Sequence, residues 1–330
     1  MTDLSPPPAL GLAPPDQNDP QSRLDWLAAR YFRNSGDEDF EFWLSEILQP
    51  GPDGRPSPMA VRDPLAEETR ALAVIAPSEE GKSSLIRRNL GALPGFRRQT
   101  AQSEGNYLAV IVEPEATIKS LAERMLKDTG YGRIASRATG PELWDILRHR
   151  LQLLGIQLIW IDEAHHLLRP GPGRDVPQAR QKLKNLMQGP GAAALLLSGV
   201  PELDTQLMAD GETDLRIPRQ LLDRRFGARP EDARRVASFV EICCSNIGLS
   251  PPVDPSFADR IIFAGNGSLG ASLALLKATL RRALISGDGV VELAHARRPY
   301  EMRYGRRKVG PFDDGHWQVI RDILERERET

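Results

Sequence analysis

The residues best suited to chemistry in this 330-residue chain are a lysine and serine opening a helix, and two adjacent carboxylates closing an apolar run. The first group lies in Ala76-Pro77-Ser78-Glu79-Glu80-Gly81-Lys82-Ser83-Ser84. Its spacing is that of the phosphate-cradling pattern G-x-x-x-x-G-K-[ST], with Ala76 in place of the first glycine. In such a loop, backbone N–H groups and a helix N-terminus offer donors and partial positive charge to phosphate oxygens. Lys82 would add a full charge beside the terminal phosphates, and the Ser83 hydroxyl would hold Mg²⁺. Gly81 lets the backbone come close. Ser84 reads as a support for the loop or as a plain helix residue. Ala76 is expected to stiffen the start of the loop, and Glu79 and Glu80 bring negative charge toward a polyanion. Both departures point to weakened binding.

The second group closes Leu158-Ile159-Trp160-Ile161-Asp162-Glu163. A buried strand ending in two acids puts them at the edge where ligands of open α/β sheets bind. Asp162 would coordinate Mg²⁺ through water, and Glu163 would act as general base toward the water attacking a γ-phosphate. His165 and His166 follow, but no further His or Cys stands at metal-ligand spacing, and zinc needs three or four ligands. They therefore read as structural or coupling residues. Ser198, within Leu195–Leu203, reads as a reporter of the nucleotide's state or as the serine that begins a turn before Gly199 and Pro201. Arg224 and Arg225 follow an apolar helical turn, Gln220–Leu222. They read as a solvated pair or as a donor to a neighbouring subunit's γ-phosphate.

The elements that must position these residues are legible from apolar patterning. Ala71–Ala76, Tyr107–Val112, Ile156–Ile161 and Ala192–Leu197 are short continuous apolar runs, the pattern of strands buried on both faces of a parallel sheet. Helical stretches alternate with them: Lys82–Leu90, Thr117–Asp128, Pro141–Leu154 and Gln178–Gln188. Two short helical patterns precede the first strand, one around Leu24–Tyr31 and one around Phe40–Leu48. The order predicts an α/β domain with helices covering a parallel sheet. From about Glu231 the pattern is helical only, over Asp232–Ile247, Pro255–Ala264, Leu269–Ser286 and a last helix near Phe312–Glu327.

With 40% hydrophobic and 27% charged residues, the composition is that of a globular protein, and a net charge of -2 gives no global field toward nucleic acid. Any DNA contact then needs a local basic patch. The candidate is Arg297, Arg298, Arg303, Arg306, Arg307 and Lys308 around Tyr300 and Tyr304, which reads equally as solvated surface. The adjacent Cys243 and Cys244 cannot staple a fold and read as buried small hydrophobes in a reducing compartment. No apolar stretch reaches the roughly 20 residues of a membrane helix. The proline-rich start carries no targeting pattern, so a disordered lead-in and a cytoplasmic location without membrane contact are expected.

On APSEEGKSS (Ala76–Ser84), IWIDEAHHLL (Ile159–Leu168), LKNLM (Leu183–Met187), LLLSGVPEL (Leu195–Leu203) and LLDRRFG (Leu221–Gly227), the sequence resembles the AAA+ ATPases. Among these it looks like the TniB family of transposition ATP-binding proteins, and Gly267–Leu284 is similar to that family's lid helix. The resemblance implies a P-loop sheet flanked by helices and followed by a smaller all-helical lid. Residues 1–22 would be the disordered lead-in, 23–228 the nucleotide-binding domain with its N-terminal helices, 229–300 the lid, and 301–330 a basic tail and C-terminal helix. It further implies an ATPase using ATP and Mg²⁺ that assembles on DNA as a homo-oligomer and recruits or activates a transposase. Ser198 falls at the sensor position, and Arg225, or else Arg224, at the position of an arginine finger acting in trans. An ATPase switch in defence or signalling, and a scaffold that holds nucleotide without hydrolysis, remain the alternatives.

Overall fold

A computed structural model describes residues 13–329 except 133, 136, 172–174, 223–224 and 307–308, and leaves out the side chains of 212–213 and 327–329. The chain begins with α1 (Pro20–Ala29), α2 (Ser35–Ile47), β1 (Leu48–Pro50), β2 (Pro56–Ala60), β3 (Ala71–Ile75) and α3 (Lys82–Ala92). It continues with β4 (Arg98–Gln99), β5 (Tyr107–Ile111), α4 (Ile118–Asp128), α5 (Gly140–Leu154), β6 (Leu158–Asp162) and α6 (His165–Leu168). Next come α7 (Val176–Leu186), β7 (Ala194–Gly199), α8 (Pro201–Met208), α9 (Gly211–Arg216) and β8 (Arg219–Leu221). The remainder is helical: α10 (Pro230–Ile247), α11 (Phe257–Ala264), α12 (Leu269–Ser286), α13 (Leu293–Tyr304) and α14 (Trp317–Glu329).

The chain folds into two compact units. The first holds a six-stranded sheet in the order β4-β5-β6-β7-β3-β8. All of its pairings are parallel. Every residue of β3, β6 and β7 is buried, as the continuous apolar runs predict. Successive strand residues point to opposite faces and enter two cores. Ala73, Val110, Ile161 and Leu197 face α4, α5 and α7, where Leu121, Trp144 and Leu183 close the layer. Val74, Ala109, Trp160 and Leu196 face Phe40 and Leu44 of α2 and Ile86 and Leu90 of α3.

The sheet's edges depart from the sequence reading. Gln220–Leu222 was expected as a helical turn, yet Arg219–Leu221 is a strand paired in parallel with Ala73–Ile75. Pro218 precedes it and removes a helix-compatible N–H, and a run this short shows no period.

The second unit gathers α10 to α14 and, from the start of the chain, the described residues up to Arg33. The sequence reading assigned residue 23 onward to the α/β domain. The first helix instead joins the helical core: Trp26, Leu27 and Phe32 are buried among Val236, Phe239 and Cys243. The Phe32 ring meets Phe239 edge-on at 5.3 Å. The N-terminal 1–22 lead-in lies outside the described residues up to position 12, and α1 already begins at Pro20.

Residues 301–304, expected to open the basic tail, instead end α13, in which His295, Ala296 and Tyr300 are buried. The final helix begins at Trp317, later than Phe312, because Phe312 is buried against Tyr300 before the helix starts. The loop between them is fixed by Arg260, whose guanidinium donates to the carbonyls of Pro311 at 2.9 Å and Gly315 at 2.9 Å. Among the described residues no helix is long and apolar enough to cross a membrane.

Trp144 joins two helices behind the sheet: it is 1% exposed and its Nε1 donates to the Ile118 carbonyl at 3.1 Å. Trp144→Ala is expected to cost about 3–5 kcal/mol of stability. Urea unfolding checks this, as a lower midpoint with an unchanged slope.

Candidate functional site

Sheet order decides which side chains can meet. β7 lies between β6 and β3, so the ends of these three strands are neighbours at the carboxyl edge. β6 ends at Asp162, which is 3% exposed, and β7 carries Ser198, fully buried, one residue before its end. The chain leaving β3 runs through residues 76–81 into α3, whose first turn holds Lys82 and Ser83 and no acidic residue. That helix N-terminus keeps its partial positive charge for a ligand.

One hydrogen-bond chain joins these elements. Trp160 Nε1 donates to Ser198 Oγ at 2.8 Å, and the Ser198 hydroxyl donates to Asp162 Oδ1 at 2.5 Å. The other carboxylate oxygen, Oδ2, accepts from the Ser83 hydroxyl at 2.6 Å. A hydroxyl has one proton, so the indole fixes Ser198 as donor to Asp162. Ser83, Asp162 and Ser198 are thus brought into direct contact, and Ser198 touches Asp162 itself. Ser83 Oγ and the Asp162 carboxylate form a pair of hard oxygen donors, a set that fits Mg²⁺.

Lys82 is 5% exposed, and its Nζ donates to the carbonyls of Ala76 at 2.9 Å and Pro77 at 3.0 Å. The ammonium is thereby held against the loop's own start. Ser78 and Ser84 are exposed. The middle of the loop, Glu79–Gly81, belongs to the second unit. There Glu80 accepts from the Leu269 N–H at the start of α12 at 3.1 Å, and Glu79 pairs with Arg303.

Glu163 follows Asp162 with φ 57°, in the left-handed region. Its side chain turns toward α6, and Oε2 lies 3.3 Å from His165 Nδ1. Burial, reinforced by the Asp162 charge, raises the Glu163 carboxyl above its usual range. Burial first, and His166 second, push the His165 imidazole down to about 4. At neutral pH the contact therefore joins a carboxyl group to an uncharged ring and is not an ion pair. His165 and His166 stack with centroids 3.9 Å apart.

Two contacts here went unread in the sequence: that of Trp160 with Ser198, and that of His165, expected as a structural or coupling residue, with Glu163. A signal for the first was present: an indole inside a wholly buried strand needs an acceptor for its N–H.

Arg225 belongs to the second unit, where its side chain is exposed. The turn behind it is anchored by Phe226 N–H donating to the Gly267 carbonyl at 2.7 Å. A Cβ on Gly267 would lie 2.4 Å from Arg225 Cγ, so the arginine stem needs that glycine. Arg224 lies outside the described residues, as do Arg307 and Lys308. The basic segment is internally paired in large part: Arg297 with Asp313 and Asp314, Arg303 with Glu79, and Arg306 with Glu301. Arg298 is exposed.

Similar solved structures share this architecture. The ORC2 protein of Aeropyrum pernix, solved as ADPNP–ADP complexes, is 13% identical over 82% of this chain and 68% of that one, with a TM-score of 0.57. The ORC1 protein of Aeropyrum pernix, solved in complex with DNA, is 16% identical over 84% of this chain and 69% of that one, also with a TM-score of 0.57. These likenesses establish the fold, that of an AAA+ P-loop NTPase with a helical region after the sheet. Among curated proteins none matches the chain. The sequence profile of the bacterial TniB protein matches residues 59–225, from β2 through the Arg225 turn. That match spans more than half of the 330 residues, and the chain belongs to the TniB family.

Proposed function

We propose that this protein is a Mg²⁺-dependent ATPase that assembles on DNA and, in that assembly, recruits or activates a transposase. The observation that carries the ATPase part is the convergence of Ser83, Asp162 and Ser198 beside the lysine loop. Family membership supports the transposition part, and the likeness to a protein solved on DNA supports the DNA part.

In this reading Lys82 leaves the Ala76 and Pro77 carbonyls to bind the terminal phosphates, and the N–H groups of the first turn of α3 bind their oxygens. Ser83 and Asp162 hold Mg²⁺, which when bound offsets charge on the phosphate oxygens. Ser198 orients the Asp162 carboxylate. Glu163 takes the proton of the attacking water, and its raised pKa makes it a better base than an ordinary carboxylate. Arg225, exposed on a turn braced by Gly267, reaches the site of a neighbouring copy and stabilises charge there. Because Arg297 and Arg303 are engaged in ion pairs, DNA contact by α13 falls chiefly to Arg298.

The reading is tested by ATP hydrolysis with and without duplex DNA, alongside mass in solution. DNA-stimulated turnover with a rise in mass is expected; turnover and mass indifferent to DNA would refute DNA-borne assembly.

Glu163→Gln is expected to keep ATP binding and to lower turnover by roughly 10²-fold or more, the scale of general-base loss. The sign of the pH effect follows from the raised pKa. Turnover falls as pH drops through the folded-state value, so the acid limb of the rate profile sits above the ordinary carboxylate range and vanishes with the carboxylate.

Lys82→Ala is expected to bind no measurable ATP and Arg225→Ala to bind it without efficient turnover. If the arginine acts in trans, mixing the two inactive variants restores part of the turnover, because Lys82→Ala copies lend Arg225 to intact sites. A mixture as inactive as its components would place the arginine's action elsewhere.

A further inference from the structure

We propose that Glu163, His165 and His166 form a second metal site, for a divalent transition ion of the Zn²⁺ class, separate from the Mg²⁺ donors Ser83 and Asp162. One ligand atom from each of the three residues lies within 4.8 Å of the others. One edge, Glu163 Oε2 to His165 Nδ1, is 3.3 Å. Bonds of about 2.1 Å in a tetrahedral site place adjacent ligand atoms about 3.4 Å apart, so that edge already has the required length. His166 is only half-buried, so rotation of its side chain can bring a ring nitrogen to bonding distance of the other two ligands.

A second observation points to a ligand. His165 is 6% exposed, yet its Nδ1 is inaccessible and makes no hydrogen bond within the protein. This nitrogen is the atom aimed at the Glu163 carboxylate. Two imidazoles and one carboxylate make a three-ligand set that leaves a fourth position open. Nitrogen donors of this kind suit Zn²⁺, Co²⁺ or Ni²⁺, whereas Mg²⁺ selects oxygen.

The backbone builds the site. His165 and His166 open α6, and the left-handed φ of 57° at Glu163 turns its side chain back over them. Counting histidines and cysteines in the sequence left two ligands; the folded chain supplies the third. The consequence rests on the reading of Glu163 as the general base. An ion holding that carboxylate removes the base while leaving Lys82, Ser83 and Asp162 untouched, so the ion blocks turnover and spares ATP binding.

The test uses the untagged full chain without nucleotide, titrated with Co²⁺ and followed by its visible d–d bands, then displaced with Zn²⁺. One equivalent is expected, with affinity lowered about tenfold or more in Glu163→Gln and in His166→Gln. His166→Gln alters a half-buried side chain, and its circular dichroism reports whether the fold is kept. Absence of Co²⁺ binding by the wild type, or equal binding by the folded Glu163→Gln/His166→Gln double variant, overturns the site. In saturating Mg²⁺ and ATP, Zn²⁺ is expected to suppress wild-type turnover, with His166→Gln needing about tenfold more. Equal sensitivity of the two overturns the inhibitory role. A wild type that binds Co²⁺ but never turns over ATP refutes the ATPase reading alone and leaves the metal site standing.

Discussion

Asp162 is the point on which the arrangement of the first unit turns. A carboxylate taken out of water is tolerated only when its lone pairs are met by donors. Three donors meet this one: the Ser83 hydroxyl from α3, the Ser198 hydroxyl from β7, and the Glu163 N–H beside it at 3.1 Å. Each comes from a different place in the fold, so satisfying one charge ties the helix after the loop to two central strands. Trp160 adds direction, because its N–H occupies the Ser198 oxygen and leaves that hydroxyl's proton for Asp162. The indole, buried on the face opposite α4 and α5, thereby sets the orientation of a group at the sheet's edge.

The residue after Asp162 is where the strand must end. Glu163 takes a left-handed conformation that costs a non-glycine residue about 1–3 kcal/mol, and Ala164 N–H immediately bonds back to the Ser198 carbonyl at 2.9 Å. A β conformation would have sent the Glu163 side chain to the opposite face from Asp162. The strained one keeps it at the edge, half-exposed and beside His165. Burial then acts on both partners in the same sense, toward neutrality: the carboxyl is raised and the imidazole lowered.

The four central strands were legible because strands covered on both faces leave unbroken apolar runs. The spacing of Lys82, Ser83, Asp162 and Glu163 likewise survives in sequence because the loop and strand ends are local. β4 and β8, two and three residues long, hold less than the pattern needed to recognise a strand. α13 was hidden by composition: its arginines read as a charged tail, while the buried spacing of Ala296 and Tyr300 was the usable signal. The bond from Trp160 to Ser198 needed the knowledge that β6 and β7 are neighbours, which sheet order supplies and residue spacing does not. The approach of Glu163 to His165 depends on a single backbone dihedral, and no pattern of residue types encodes it.

The variant loop takes on a different meaning once its dihedrals are known. Ala76 stands where the pattern has its first glycine, yet it is absent from the left-handed positions; it is buried, and its N–H donates to the Gly199 carbonyl at 3.2 Å. A Cβ is no burden there. The left-handed residues are Gly81, with φ 82°, and Glu79, with φ 67°. The missing glycine is therefore felt at position 79. Within the second unit, Glu79 pairs with Arg303, while Glu80 receives the first N–H of α12. Gly270 follows one residue later, and a Cβ there would stand 1.5 Å from the Glu79 carbonyl. A loop short of one glycine and a helix start that carries one thus answer one another. The two glutamates, which in sequence look only like charge set against a polyanion, have one carboxylate on a helix N-terminus and the other on an arginine.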